Sequence, residues 1–282
     1  MKKSITLLDG AIGTSLWEIA ARNGADKVPV WRYNTEHPEF VTELTRDYIA
    51  AGAEIVLTNT FGANAPAVRM AHPQADPEQI VRAGVRLAKQ AAAGSGARVA
   101  LAAGPLSALM EPWGDLTQSE VAGIYEQMLG AGMDEGADCI LLQTFMDLEM
   151  MRVAATVARQ YPVPVFCAMT YEKVGKTIMG NSVQDTIDVL TPLQIDAIGM
   201  NCSLGPEASL PVLREFAAHT DLPLLYKPNA GKPVLAADGS SAAACDAQTF
   251  AQQVQPALEY VSYVGGCCGS NVSYIRELKK LL

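Results

Sequence analysis

Apolar residues are spaced along this chain in two alternating patterns. Short apolar runs without polar alternation recur at residues 5–8, 54–57, 99–103, 139–142, 165–168, 197–200, 224–226 and 261–264. Runs of this kind suit parallel strands covered on both faces. Between and after them lie stretches with helical periodicity, at 38–51, 77–93, 118–135, 147–160, 182–191, 206–219, 246–258 and 271–281. In the third of these, Val121, Ile124, Tyr125, Met128 and Leu129 recur every three or four residues, which forms a single apolar stripe. Thr117 precedes the stripe and Glu120 follows three residues later, the pattern of a capping box. Gly94-Ser95-Gly96 reads as a turn between a helix and a strand.

Eight strand–helix units in 282 residues predict an α/β fold, a single (β/α)8 TIM-type barrel spanning 1–282. A doubly wound open sheet is the competing architecture. Against it, the first strand is followed by Asp9-Gly10-Ala11-Ile12-Gly13-Thr14, which lacks the G-x-G-x-x-G spacing of a dinucleotide site. Hydrophobic residues make up 49% of the chain, enough for a large core. The net charge of −9 argues against nucleic acid as a partner, since phosphate binding needs clustered cations. No apolar stretch approaches the roughly 20 residues of a membrane span. Met1-Lys2-Lys3 resembles the start of a signal peptide, but Asp9 and Gly10 interrupt the apolar segment too early. The expected location is therefore the cytoplasm, where thiols stay reduced.

Six cysteines fall into two groups. Cys139 and Cys167 sit inside apolar runs and, with Cys245, suit small buried hydrophobes. Cys267 and Cys268 are adjacent, flanked by Gly265, Gly266 and Gly269, and directly follow the last strand. Neighbouring cysteines form a disulfide only with strain, but both can bind one soft metal if the chain turns sharply there. Cys202 likewise lies just past an apolar run, in Asn201-Cys202-Ser203-Leu204-Gly205-Pro206. Three thiolates with no nearby histidine point to one Zn²⁺ per chain, with a fourth position open for chemistry. His37, His72 and His219 read as surface or turn residues.

In a barrel, chemistry belongs at the C-terminal ends of the strands. Those positions carry Asp9 and Gly10, then Asn59 within Thr58-Asn59-Thr60-Phe61-Gly62, then Gly104-Pro105 and Gln143-Thr144-Phe145. Asn201-Cys202, Lys227-Pro228-Asn229-Ala230-Gly231 and Cys267-Cys268 follow. The amide oxygen of Asn229 is a candidate for the fourth metal position at rest. Asp9 also suits a turn, Asn59 and Asn229 also suit capping of loop backbone, and Trp113 suits a loop anchor better than a substrate wall.

With these residues assembled, the chain resembles the homocysteine S-methyltransferase family over essentially its whole length. It looks most like the homocysteine-binding barrel of cobalamin-dependent methionine synthase. The matching segments include Leu8-Asp9-Gly10-Ala11-Ile12-Gly13-Thr14, Thr58-Asn59-Thr60-Phe61-Gly62-Ala63, Thr144-Phe145-Met146-Asp147-Leu148-Glu149 and Pro228-Asn229-Ala230-Gly231, together with both cysteine motifs. The resemblance implies zinc on Cys202, Cys267 and Cys268, Asn229 in or beside the metal sphere, and an amino-acid substrate held near Asp9, Gly10 and Ala11. It also implies an acidic residue at the end of strand 4, where this chain has Gln143. A neutral amide accepts a weaker hydrogen bond from an ammonium group than a carboxylate does. Homocysteine remains the expected acceptor but is expected to bind weakly, with a small thiol lacking a free amine as the alternative. Ser270-Asn271 stands where the family usually has Thr-Thr-Pro, and Asn271 suits a cap for the last helix.

A chain of this length has no room for folate, cobalamin and activation modules, so the methyl group is expected from outside. The preferred donor is methylcobalamin, free or on a separate corrinoid protein. The alternative is a small onium donor, S-methylmethionine or betaine, which needs an aromatic cage. Strand-end aromatics are limited to Phe61, Phe145 and Tyr171, with Trp113 on a longer loop. A non-catalytic zinc protein, or a subunit serving a corrinoid partner, is the reading from a different class.

Overall fold

The computed structural model describes residues 4–172, 174–202, 204–231 and 245–282, with only the backbone of Val234–Leu235 and Ser241–Ala242 between the last two stretches. Met1, Lys2, Lys3 and Ser203, named above, lie outside these residues.

All eight expected strands form. They are β1 (Thr6–Leu7), β2 (Ile55–Leu57), β3 (Arg98–Ala103), β4 (Cys139–Phe145), β5 (Val165–Met169), β6 (Ala197–Asn201) and β7 (Leu224–Lys227). After a short antiparallel hairpin, β8 (Val234–Leu235) and β9 (Ser241–Ala242), the eighth barrel strand is β10 (Tyr263–Val264). The barrel strands are parallel and ordered β1-β10-β7-β6-β5-β4-β3-β2. The ring closes where Leu8 bridges Ile55, with Glu54 N–H donating to Leu7 O at 2.7 Å and Asp9 N–H to Ile55 O at 3.2 Å. This is the (β/α)8 barrel the alternation predicts.

The expected helices are present as α3 (Pro38–Ala50), α5 (Pro77–Ala92), α6 (Gln118–Asp134), α7 (Leu148–Ala158), α8 (Val183–Leu190), α9 (Pro206–His219), α10 (Ala247–Val254) and α11 (Val272–Lys279). Thr117 and Glu120 form the capping box on α6, and Asn271 Oδ1 accepts from Ser273 N–H at the start of α11. Three helices were not legible: α1 (Ile12–Arg22), α2 (Tyr33–Glu36) and α4 (Ala65–Ala71). For α1 the reason is local. Gly13 sits in its first turn and its N-cap, Ala11, offers no capping side chain, so its start carries none of the usual signals. Among the described residues no helix is long and apolar enough to cross a membrane.

Two apolar layers fill the fold. Inside the barrel pack Leu8, Ile55, Leu57, Leu141, Phe166 and Leu225, among others. The larger layer lies between strands and helices. Cys139 belongs to the barrel interior and Cys167 to the outer layer, both fully buried, whereas Cys245 is half-buried against the outer layer. Strand side chains alternate faces, so inward Leu141 leads to Gln143, Leu225 to Lys227, and Ala197 through Gly199 to Asn201. The fold thereby delivers three polar side chains onto the barrel axis at one end.

Candidate metal centre and acceptor cavity

Cys202 follows β6, and Cys267 and Cys268 follow β10, with β7 between the two strands. Their three sulfur atoms all lie within 4.8 Å of one another. The Cys202 and Cys268 sulfurs are 3.7 Å apart. Two ligands on a tetrahedral zinc with Zn–S near 2.3 Å sit ~3.8 Å apart, so the spacing fits one shared ion. The backbone is built around this convergence. Cys202 has φ +63°, a left-handed conformation that costs a non-glycine residue roughly 1–2 kcal/mol. After Cys267 the chain turns, with Ser270 N–H donating to Cys267 O at 3.0 Å and Gly269 at φ +79°. Gly266 serves close approach, because a Cβ there would lie 2.1 Å from Ser270 Oγ. The turn thus falls after the cysteine pair, at Gly269, where the sequence suggested one between the two thiols.

Crowding sets the chemistry of these thiols. The hydrogen bond to Cys202, then burial, pushes Cys268 up to about 11, against an opposing hydrogen bond from Cys267. Cys267 lies well above the ordinary thiol range, first through its hydrogen bonds with Cys202 and Cys268 and then through burial. Three sulfurs this close ionise together only around a cation. Asn229 Oδ1 is buried and has no hydrogen-bond partner, and it is the only such side-chain atom among the described residues. Its backbone is anchored beside the cysteines, through Asn229 N–H to Leu204 O and Ala230 N–H to Cys268 O.

A cavity of about 310 Å³ opens onto the thiols. Gly10, Ala11, Asn59 and Gln143 line it together with Cys202, Cys267 and Cys268. Asp9 and Asn229 are not on its wall. The Asp9 carboxylate is engaged at both oxygens: Leu57 N–H donates to Oδ2 at 2.7 Å and Lys227 Nζ to Oδ1 at 2.7 Å. Both side chains are almost wholly buried, so removing either alone would strand a charge at a cost of about 3–5 kcal/mol. Asn59 spans two roles. Its Nδ2 donates to Val30 O and Asn34 Oδ1, fixing the loop, while the residue faces the cavity.

Two residues of the site carry no signature in the sequence beyond strand alternation. Lys227 is one, a cavity-lining cation. The other is Asn201, whose Oδ1 accepts from Thr144 N–H at 2.7 Å and whose Nδ2 donates to Thr144 Oγ1 at 2.7 Å and reaches Cys267 Sγ at 3.6 Å. Thr144 is left-handed at φ +65°, where the β4–β5 register shifts. Asn201 therefore clasps a strained bulge and one thiol at once.

The aromatic expectations need correction. Phe145 and Tyr171 are fully buried in the core and Trp113 is 73% exposed, serving neither as wall nor as packed anchor. The aromatic walls are Phe61 and Trp17, the latter on the unforeseen α1. Lys27 Nζ lies 4.3 Å from the centre of the Trp17 ring. His37 stacks on Phe40, and none of the three histidines joins the thiol cluster.

The fold and site are those of a TIM-type barrel whose strand ends gather three thiols over a lined cavity, and comparison with known proteins places it among a family of methyltransferases. The chain belongs to the homocysteine S-methyltransferase family, whose model matches residues 6–282. It is 27% identical to methionine synthase of Mycobacterium tuberculosis over 99% of this chain and 24% of that protein. It is also 27% identical to methionine synthase of Mycobacterium leprae, over 96% and 24%. The chain thus spans about a quarter of the length of these relatives. The homocysteine methyltransferase MmuM from Escherichia coli shares the fold in its oxidized form, with TM-score 0.80, 23% identity and coverage of 98% and 95%. Its metallated form gives TM-score 0.79 at 23% identity, covering 99% and 96%.

Proposed function

We propose that this enzyme methylates the sulfur of homocysteine or a closely related thiol, using zinc held by Cys202, Cys267 and Cys268 and a methylated corrinoid as donor. The observation that carries the reading is the convergence of three sulfurs at ligand spacing on the floor of an open cavity. When bound, zinc supplies the positive charge that keeps an acceptor sulfur deprotonated at neutral pH. The chain's own residues do the rest. Asn201 directs an amide N–H at Cys267 and fixes the height of that thiolate. The unpartnered Asn229 oxygen, whose backbone is anchored beside the cysteines, would be a further donor toward a bound metal. The cavity wall, from Gly10 to Gln143, orients the acceptor chain and limits water around the nucleophile.

Two features favour a corrinoid over an onium donor. The Trp17 ring already has the Lys27 ammonium beside it, and the cavity wall itself carries Lys227, so the site is a poor cage for a cationic methyl compound. Large exposed apolar side chains also lie on loops at the cavity end of the barrel. Phe61, Leu109, Trp113, Met146, Val174 and Ile178 all lie on loops that follow β2 to β5. Exposed apolar surface of this kind suits a protein partner carrying the donor. The test is product formation by zinc-loaded enzyme with homocysteine and one donor at a time. Methylcobalamin, free or protein-bound, is expected to yield methionine, with little from betaine or S-methylmethionine. Robust turnover of either onium compound without corrinoid would overturn the donor assignment.

A further inference from the structure

The charges on the cavity wall point to a class of acceptor, an inference that rests on thiol activation at the cysteine cluster. Lys227 is buried and is one of the residues lining the cavity, and its Nζ has three N–H donors, of which Asp9 Oδ1 takes one. No other acceptor reaches it among the described residues. A second, independent feature faces the same space. Ala11, Ile12, Gly13 and Thr14, the N-cap and first turn of α1, line the cavity, and no side chain caps that helix. Its first N–H groups therefore lack intrahelical partners and carry the positive end of the helix dipole. No carboxylate stands opposite. Among the described residues lining this cavity there is neither Asp nor Glu, and Gln143 holds the position where the family resemblance implies an acid.

We infer that the site takes thiols bearing a carboxylate: Lys227 and the first turn of α1 hold the acidic end, and the α-ammonium of the acceptor is dispensable. The arrangement is an anion site built from one buried ammonium and unpaired backbone donors. Asp9 fixes Lys227 in place through the ion pair and does not itself line the cavity. Gln143 offers an ammonium group only a neutral carbonyl oxygen. Homocysteine then fits through its carboxylate, and the amine adds little.

Zinc-edge X-ray absorption of the zinc-loaded protein reads entry of a fourth sulfur directly, without turnover. The titrants are homocysteine, 4-mercaptobutyrate (the same skeleton without the amine) and 3-mercaptopropylamine (the same skeleton without the carboxylate). Half-saturation by 4-mercaptobutyrate is expected within about threefold of homocysteine, and 3-mercaptopropylamine at least about tenfold weaker, as loss of a charge-assisted bond requires. The paired variant Asp9→Asn/Lys227→Met removes both charges together. It should weaken both carboxylate thiols by about tenfold or more at unchanged zinc content and leave 3-mercaptopropylamine unaffected. Gln143→Glu should tighten homocysteine about fivefold to tenfold and leave 4-mercaptobutyrate unchanged or weaker. Should the paired variant fail to fold, the three-thiol series on the natural protein decides alone. Tight binding of 3-mercaptopropylamine with exclusion of 4-mercaptobutyrate would overturn the inference. Failure of all three thiols to enter would instead overturn thiol activation itself, and this inference with it.

Discussion

Burial and crowding divide six chemically identical cysteines into inert and reactive sets. Cys139 and Cys167 are fully buried, which raises both thiols, Cys139 to about 12, and keeps reagents from reaching them. Cys202 and Cys268 reach solvent through the cavity. Alkylation of the native metal-free protein should therefore mark the cluster and spare Cys139 and Cys167, and zinc should protect the cluster. Cys202→Ala, Cys267→Ala and Cys268→Ala should each lose stoichiometric zinc, while Cys139→Ala should retain about one per chain, measured by metal analysis after gel filtration. Zinc retained by all three cluster variants would end the metal assignment. The cysteines were legible because glycine-flanked thiols after apolar runs are conspicuous in sequence. Asn201 and Lys227 were not, because their meaning depends on which face of a strand each occupies and on partners more than 50 residues away.

Strands proved legible because burial on both faces leaves a continuous apolar run, and β4 extends past its run through Gln143 because the Asn201 clasp pairs its polar end. The first helix escaped notice because a start without a capping side chain looks like a loop; that same bareness leaves its donors free for a ligand. Close strand packing adds a constraint the pattern does not reveal. On β6, Gly199 faces β7 so tightly that a Cβ would lie 1.9 Å from the Leu225 carbonyl oxygen, with which its residue is in register. Gly199→Ala should destabilise the fold by at least about 1–3 kcal/mol, because backbone cannot step aside as a side chain can. Gly123→Ala on α6 meets nothing within 4 Å and should stabilise by up to ~1 kcal/mol. Equal melting temperatures for the two variants would refute this reading of the β6–β7 interface.

Across the whole molecule, the strand–helix alternation was enough to give the barrel, because every unit repeats the same burial logic. The cavity depends on residues on or just after β1, β2, β3, β4, β6, β7 and β10 meeting at one end, which no local pattern encodes. Gly10, Ala11, Asn59 and Gln143 line its wall, while Asp9 is the buried counter-ion of Lys227 and does not line it.

The shortness of β1 and β10 has a further consequence. The ring is continuous through β3, β4, β5 and β6 but is completed by two strands of two residues and a single bridge, Leu8 to Ile55. Amide hydrogens should report this as a zipper with one weak track, exchanging sooner at Leu8, Tyr263 and Val264 than at Leu141 or Phe166. The thiol cluster spans β6 and β10 over the intervening β7, so a metal bound there would act as a clasp on the weak track. A metal present at a hundredfold its dissociation constant adds ~2.7 kcal/mol, about a hundredfold in protection where opening breaks the cluster. Uniform protection around the ring, unchanged by metal, would show that closure does not depend on the site it supports.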